Sequence, residues 1–294
     1  MMRRVVLAAT VVLAAVPAVS TSVALPVAAQ AADTGTDPAY ALKRQLRSGH
    51  GLRTSETVRV TYGDRPGSGI RFDGKVRLSP SGVAAVDFTW RDIPKPGTGG
   101  DAASATTNRP HRTIRVGASV YCDSGQYSVP VPDGKTWVRL NHRAGLCWTM
   151  ARTGGLQPIN VYDQAMIKAV LRRSTKTPVP GGFRYQGAMT YRTLAKIFKG
   201  AYVDPLTNTR LTAKSTGKIA WRLWTGRDGL PTRLITTDTL GGSRSAVVLR
   251  ADTRYSRWGR PPAIAAPPAH MVIEENDLLS GSVPDPEPIL SAAN

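Results

Sequence analysis

The sequence alternates between apolar and polar residues along Lys218–Thr225 (KIAWRLWT), again along Pro231–Asp238 (PTRLITTD), and a third time along Ser245–Thr253 (SAVVLRADT). The turn sequence Gly226-Arg227-Asp228-Gly229 separates the first two runs, and Gly241-Gly242 separates the second from the third. Alternation with a period of two, bounded by glycine, is typical of β-strands joined by tight turns. This stretch therefore predicts a β-meander near the C-terminal end of the chain.

The same period of two runs through the first half of the chain and puts apolar side chains on one face of each predicted strand. Ten of these side chains are candidates for lining a ligand cavity: Val58, Val60, Tyr62, Ile70, Phe72, Phe88, Trp90, Ile114, Val116 and Trp221. We also place Val120 and Cys122 on the same face as Ile114 and Val116. Strands with one apolar and one polar face predict an antiparallel sheet with one side in water.

The balance of elements predicts the fold class. The sequence predicts about eight to eleven strands but only three helices, which begin near Asp37-Pro38, Asn160 and Thr190. Three short helices cover only part of such a sheet, so the sheet must curl. We predict an α+β fold, a single curved antiparallel sheet or half-barrel with a few helices packed in its concave face, and apolar concave surfaces often hold small molecules.

The N-terminus has the pattern of an export signal. Arg3 and Arg4 precede the apolar run Val5–Val16, and Ala29-Gln30-Ala31 is a small-x-small cleavage site. We predict a signal peptide over residues 1–31 and a secreted, extracytoplasmic protein. The alternative of an uncleaved membrane anchor stays open, although Pro17 interrupts the apolar run.

The two cysteines, Cys122 and Cys147, predict a disulfide because an even pair outside the cell is normally oxidised. A disulfide that closes the loop between these two cysteines would stabilise the fold by about 3 kcal/mol.

The chain is strongly basic, with a formal net charge of +19. Leaving out the two arginines of the signal and the five carboxylates beyond residue 270 gives a net charge of about +22 for residues 32–270. We predict one domain over residues 32–270 with a flexible loop at 93–109, followed by a disordered acidic tail at 271–294. A field of this size attracts polyanions, unless the arginines only keep the surface soluble.

The sequence offers no constellation for catalysis. It has no Gly-x-Ser-x-Gly elbow and no Walker loop, and its four histidines are isolated from one another. We therefore expect no enzyme activity, no cofactor and no metal site. No nucleic-acid-binding motif is present either, so nucleic acid is not an expected partner.

Several short motifs occur in a fixed order: Arg112–Gly117 (RTIRVG), Gly134–Trp137 (GKTW), Lys218-x-x-Trp221, Asp228–Leu234 (DGLPTRL) and Asp252–Gly259 (DTRYSRWG). In their residues and their order along the chain, these motifs resemble a family of actinobacterial secreted proteins and lipoproteins related to the mycobacterial glycolipid-binding lipoproteins. The resemblance extends from about Ala39 to Ala269. It implies the LolA-like (lipoprotein-carrier) fold, a half-barrel that holds lipid in characterised relatives, and it supplies no catalytic residues. Those lipoproteins carry a cysteine at the signal cleavage site, where this chain has Ala31 and Ala32, so lipid anchoring is not expected.

Two functions follow as hypotheses. The first is a secreted, non-catalytic monomer that binds lipid or another amphiphile in the half-barrel cavity and takes part in envelope lipid handling. The second is a cell-envelope interaction or sensor protein that has no lipid cavity and binds an anionic envelope polymer or a protein partner. An apolar cavity of about 300–1,000 Å³ would favour the first.

Overall fold

In the computed structural model, residues 36–97, 109–142, 145–197, 210–212, 214–240 and 246–280 are described. The predicted signal peptide and most of the predicted loop at 93–109 lie outside these residues. The strands of the described chain are β1 (Gly51–Tyr62), β2 (Arg65–Ser79), β3 (Gly82–Ile93), β4 (His111–Val116), β5 (Ser119–Asp123), β6 (Trp137–Arg139), β7 (Ser174–Val179), β8 (Gly182–Thr190), β9 (Lys218–Gly226), β10 (Pro231–Leu240), β11 (Val247–Ser256) and β12 (Val272–Glu274).

These strands form one 12-stranded sheet in the order β12-β6-β5-β4-β3-β2-β1-β11-β10-β9-β8-β7. Neighbouring strands are antiparallel, with the exception of the parallel pair β12 and β6. Because β12 and β7 stand at opposite ends of the order, the sheet stays open. The predicted single curved antiparallel sheet is confirmed, with twelve strands where about eight to eleven were expected.

Five α-helices accompany the sheet in the described residues: α1 (Pro38–Gln45), α2 (Gly145–Thr153), α3 (Gln164–Leu171), α4 (Tyr191–Ile197) and α5 (Glu275–Leu279). The predicted start of α1 is confirmed, since the Asp37 carboxylate accepts a hydrogen bond from the Ala39 amide at 3.0 Å. Asp163 caps α3 by accepting from Ala165 at 2.8 Å and from Met166 at 3.2 Å. The sequence had placed this cap at Asn160, three residues too early.

The chain between β6 and β7 joins the two halves of the sheet across one face, which we call the inner face. Helix α2 packs against β3, β4 and β5, and α3 packs against β7 at the far edge. Glycine also makes room within the sheet: a Cβ on Gly74 of β2 would lie 2.2 Å from Cδ1 of Phe88 on β3. The Phe88 ring therefore lies directly over the β2 backbone.

The segment between β11 and β12 crosses the opposite, outer face. The Lys75 ammonium donates to the Ala263 carbonyl at 3.5 Å. Further along, Ile264 packs with Ala85 and Ile114 in a small apolar cluster. The chain is thereby carried from the middle of the sheet to its β6 edge.

The predicted disorder from residue 271 is wrong for the part of that segment that the structure describes. Strand β12 pairs with β6, and α5 follows it. Glu274 forms an ion pair with Arg139 at 2.7 Å. The buried Glu275 carboxylate accepts from the Tyr127 hydroxyl at 3.1 Å and from the Asn141 amide at 2.9 Å. Acidic composition suggested disorder, but these acidic side chains have specific partners on the basic body.

Candidate functional site

The inner face holds most of the side chains that were predicted to line a cavity. Seven of them are buried, with exposed fractions of 0–6 %: Val58, Val60, Ile70, Phe72, Phe88, Trp90 and Trp221. Tyr62, near the end of β1, is half-buried. Phe72 and Phe88 are fully buried, with ring centroids 5.1 Å apart. A side chain that lined a water-sized cavity would keep some accessible surface, so these two rings belong to packed core.

Helices and loops supply the side chains that fill this face. Met150 of α2 and Met166 and Ile167 of α3 are 0 % exposed and belong to the same apolar cluster. Leu156 and Ile159, from the connection between α2 and α3, are also 0 % exposed there. In the described residues, the middle of the inner face is therefore occupied by the protein's own side chains.

Ile114 and Val116 do not lie on the inner face, so their place among the cavity candidates is corrected. A tight turn at Gly117, with φ of +61°, separates β4 from β5, and Val116 pairs with Ser119 across it. The predicted placement of Ile114 and Cys122 on one face would hold only if the alternation continued through Gly117 without a turn. The turn reverses the alternation, so Val120 and Cys122 point inward while Ile114 packs under Ile264 on the outer face.

The predicted disulfide between Cys122 and Cys147 is present and joins β5 to α2. The neighbouring Thr113 hydroxyl lies 3.2 Å from the Cys147 sulfur and accepts from the Trp90 indole at 3.3 Å. The bridge therefore fixes α2 against the inner face next to Trp90. A structural disulfide of this kind is typical of proteins that mature in an oxidising compartment.

One carboxylate lies inside this core. Glu56 of β1 is 1 % exposed and accepts hydrogen bonds from the Leu156 amide at 2.9 Å and the Thr253 hydroxyl at 2.7 Å. Gln157 continues the network by donating to Thr253 Oγ1 at 2.8 Å and accepting from the Thr236 hydroxyl at 2.8 Å. The network fixes the loop after α2 to the central strands β1, β11 and β10.

Burial raises the pKa of Glu56 to about 7, because removal from water penalises the charged form by more than its hydrogen bonds favour it. Sequence reasoning missed this residue, although its position was a signal: Glu56 shares the alternation of Val58 and Val60 and so had to point inward. The hydrogen bonds of Glu56 tie the loop after α2 to the sheet, whereas its burial disfavours the charged carboxylate.

The outer face is dominated by arginine. We call the following set on strands β9, β10, β11, β1, β2 and β3 the arginine face: Arg53, Arg59, Arg71, Arg91, Arg222, Arg233, Arg250 and Arg254. Three pairs stand directly opposite each other across neighbouring strands: Arg59 and Arg250, Arg71 and Arg91, and Arg233 and Arg254. Like charges in this register destabilise a sheet. The register of the strands thus concentrates positive charge on the outer face.

Among the described residues, carboxylates pair with two members of the arginine face: Asp73 lies 4.0 Å from Arg71, and Asp252 pairs with Arg233. A third carboxylate on this face, Asp87, pairs with Lys75 and Arg112. Arg233 makes two hydrogen bonds to Asp252, and these, with Arg254 and Arg250 nearby, hold the pKa of Asp252 below its usual value. Within the part of the chain that the structure describes, six members lie farther than 4.0 Å from any carboxylate: Arg53, Arg59, Arg91, Arg222, Arg250 and Arg254.

An open depression of about 1050 Å³ lies on this face. Most of its lining is polar or charged: Arg53, Thr54, Ser55, Asp73, Gly74, Lys75, Asp87, Thr89, Arg112, Trp224, Thr232, Arg233, Arg254, Tyr255 and Ser256. Its size is that of a ligand site, but it lies on the face opposite to the predicted apolar cavity.

Among the described residues, no group of three or more His, Cys, Asp or Glu side chains is arranged to hold a metal ion. Likewise, none of the helices in the described ranges has the length and apolarity needed to span a membrane.

No family model matches this sequence, and no curated protein matches it either. Among solved structures, the chain is similar to the MucA/MucB complex of Pseudomonas aeruginosa, with 13% identity, coverage of 77% of this chain and 57% of that chain, and a TM-score of 0.29. The chain therefore spans less than two thirds of the length of that match.

Two other solved structures are matched over most of their length. A LolA superfamily protein from Nitrosomonas europaea has 9% identity, coverage of 76% of this chain and 94% of that chain, and a TM-score of 0.24. A DUF1329 family protein from Desulfovibrio piger has 9% identity, coverage of 83% and 100%, and a TM-score of 0.23. At such low TM-scores, the fold of this chain is defined by its own strand order and not by these similarities.

Proposed function

We propose that this protein is a non-catalytic, extracytoplasmic binding protein that holds a polyanionic partner against the arginine face. The observation that carries the proposal is the register of the sheet, which sets three arginine pairs directly opposite each other. Each such pair costs stability, about 0.2–1 kcal/mol. A surface that served only solubility would not require like charges directly opposite each other. An anionic partner would remove the repulsion and so offset the cost.

The test is binding of a polyanion measured by calorimetry over a series of salt concentrations. Dextran sulfate is a suitable first ligand, and its affinity should fall steeply as salt rises, because screening weakens contacts between exposed charges. The double variant Arg59→Gln/Arg250→Gln removes one opposed pair and should weaken binding about five- to tenfold. The same variant should gain about 0.2–1 kcal/mol in unfolding free energy.

A matched control removes two charges from a different surface. Lys168→Gln/Arg172→Gln changes exposed side chains at the end of α3, on the helix layer of the inner face. It should keep the affinity within about twofold. Equal losses in both variants would mean that net charge alone attracts the polyanion, and the arginine face would then have no special part.

Lipid binding is a second candidate, favoured by the open sheet with helices on its inner face. It requires the helix layer to move, because Phe72 and Phe88 are 0 % exposed as the chain is folded here. Native mass spectrometry after gentle extraction would reveal co-purified lipid, and a fluorescent acyl ligand would report uptake. A protein that carries no lipid and takes up no such ligand is not a carrier.

A further inference from the structure

We infer that the depression on the arginine face is a site for an anionic polysaccharide, with Arg53 and Arg254 holding an acidic group and Trp224 contacting a neighbouring sugar ring. The inference deepens the proposed function and rests on it, since it names the class of polyanion and the place where it binds.

The acidic group has a defined place. Arg53 pairs with Ser256 and Arg254 pairs with Ser55, so the two arginines occupy diagonal positions on neighbouring strands of one face. Diagonal neighbours in an antiparallel pair are within reach of each other when the side chains are long. Neither has an ion-pair partner among the described residues, and two guanidinium groups can hold a sulfate, phosphate or carboxylate through charge-assisted hydrogen bonds.

Trp224 supplies a different kind of contact. It is half-buried on the outer face, between its cross-strand partners Arg184 and Arg233. The Arg233 guanidinium lies 5.5 Å from the Trp224 ring centroid and is fixed by Asp252. In the described part of the chain, the indole N–H of Trp224 donates to no acceptor. The half-buried ring lines the depression, and a sugar offers C–H groups to an aromatic ring and hydroxyl oxygens to its N–H donor.

Hydroxyl groups complete the lining. Those of Ser55, Thr89 and Ser256 open into the depression and make no side-chain hydrogen bond to another described residue. Free hydroxyl groups next to an indole and two unpaired arginines offer donors and acceptors to a polar, anionic chain of sugars. The combination is more specific than charge alone, which would require neither the indole nor the hydroxyl groups.

The same surroundings disfavour other polyanions. Grooves for single-stranded nucleic acid stack successive bases on several aromatic side chains. Here the second aromatic residue of the lining, Tyr255, is 6 % exposed. Membrane docking uses apolar side chains beside the basic ones. Among the large apolar side chains of the described residues, Tyr40 is the one that is strongly exposed, and it lies on α1 and not in the depression.

The experiment compares ligands that share charge but differ in chemistry, by calorimetry on the purified protein. Dextran sulfate and polygalacturonate are anionic polysaccharides with sulfate and carboxylate groups, respectively. Inorganic polyphosphate is a polyanion without sugar, and neutral dextran is a sugar polymer without charge. We expect both anionic polysaccharides to bind more tightly than polyphosphate at equal charge concentration, and neutral dextran to show no measurable heat. The stronger of the two polysaccharides identifies the preferred acidic group.

Two variants separate the roles. Trp224→Ala should weaken polysaccharide binding about three- to tenfold and leave polyphosphate binding within about twofold. Arg53→Gln/Arg254→Gln should weaken both kinds of ligand. Trp224→Leu keeps an apolar side chain without the ring and covers the case in which the alanine variant does not fold. The leucine variant should lose as much binding affinity as Trp224→Ala.

The outcomes that contradict the inference differ from those that contradict the proposed function. If Trp224 variants weaken all ligands equally or none, or if oligothymidylate or phosphatidylglycerol vesicles bind more tightly than the polysaccharides, the polysaccharide assignment is wrong while polyanion binding stands. If no polyanion binds in a salt-dependent way, both are wrong.

Discussion

Glu56 makes the folded protein sensitive to pH, and Glu56→Gln tests how. The carboxyl group has a pKa of about 7 in the folded state against an ordinary value of 4.5. This difference corresponds to about 3 kcal/mol, since each pKa unit is worth about 1.36 kcal/mol. The folded state holds the proton more tightly than the unfolded state. Its contribution to stability is therefore complete below pH 4.5 and is lost as pH rises through about 7.

Glutamine resembles the protonated acid in shape and charge. Its carbonyl oxygen can still accept from the Leu156 amide, and its NH₂ group can donate to Thr253 Oγ1. We expect the variant to match the wild type near pH 4 and to exceed it by up to about 3 kcal/mol at pH 8. Tyr162 and Tyr255 also face this region, but burial and the nearby Glu56 raise their pKa values, so they stay neutral over this range.

Urea unfolding monitored by tryptophan fluorescence, at pH 4.5, 6, 7 and 8 and fixed ionic strength, measures the difference. Asp73→Asn is a matched control, because it removes an exposed carboxylate from the neighbouring strand β2. The control should keep the pH dependence of the wild type. If Glu56→Gln is less stable than the wild type at pH 8, or differs from it equally at all four pH values, the reasoning about this carboxylate is refuted.

Three further changes test the packing. Replacing Cys122 and Cys147 by serine should lower the unfolding free energy by about 3 kcal/mol, which urea unfolding would show as a lower midpoint. An unchanged midpoint would mean that the bridge does not constrain the unfolded chain. Glu275→Ala should lower the unfolding free energy by about 1–3 kcal/mol, because it leaves the donors of Tyr127 and Asn141 without their acceptor. Limited proteolysis should then cut the variant near β12. A variant as resistant to protease as the wild type would contradict the anchoring role of Glu275. Gly74→Ala should cost about 2–3 kcal/mol in the same urea assay, because its Cβ would lie 2.2 Å from the Phe88 ring and 2.4 Å from the Asp87 carbonyl oxygen. A neutral effect would show that β2 and β3 can shift apart at this point.

Local alternation was enough to predict the hairpins and their inward residues. Phe72, Phe88 and Trp221 were assigned to the apolar face from sequence, and all three are buried in the core of the inner face. The prediction failed at Ile114 because Gly117 starts a turn, which inverts the alternation. The inward positions of β4 are polar for a separate reason: Arg115 reaches α2 and donates to the Ala151 carbonyl at 3.2 Å.

The candidate site depends on long-range pairing, which the sequence did not reveal. Arg59 and Arg250 meet only because β1 pairs with β11, a strand almost two hundred residues further along the chain. As single residues, these arginines were compatible with an ordinary solvated surface. For the same reason, the sequence did not predict that β12 is structured, since the partners of Glu274 and Glu275 lie on β6 and in the segments next to it.

Arginine footprinting with and without dextran sulfate tests the central claim most directly. Phenylglyoxal modifies accessible guanidinium groups, and mass spectrometry reports the extent of modification at each arginine. We predict protection of Arg53, Arg59, Arg250 and Arg254 by the polyanion, with Arg172, directly after α3, modified as fast as in the free protein. Protection of Arg172 to the same extent, or no protection of the arginine face, would contradict the account.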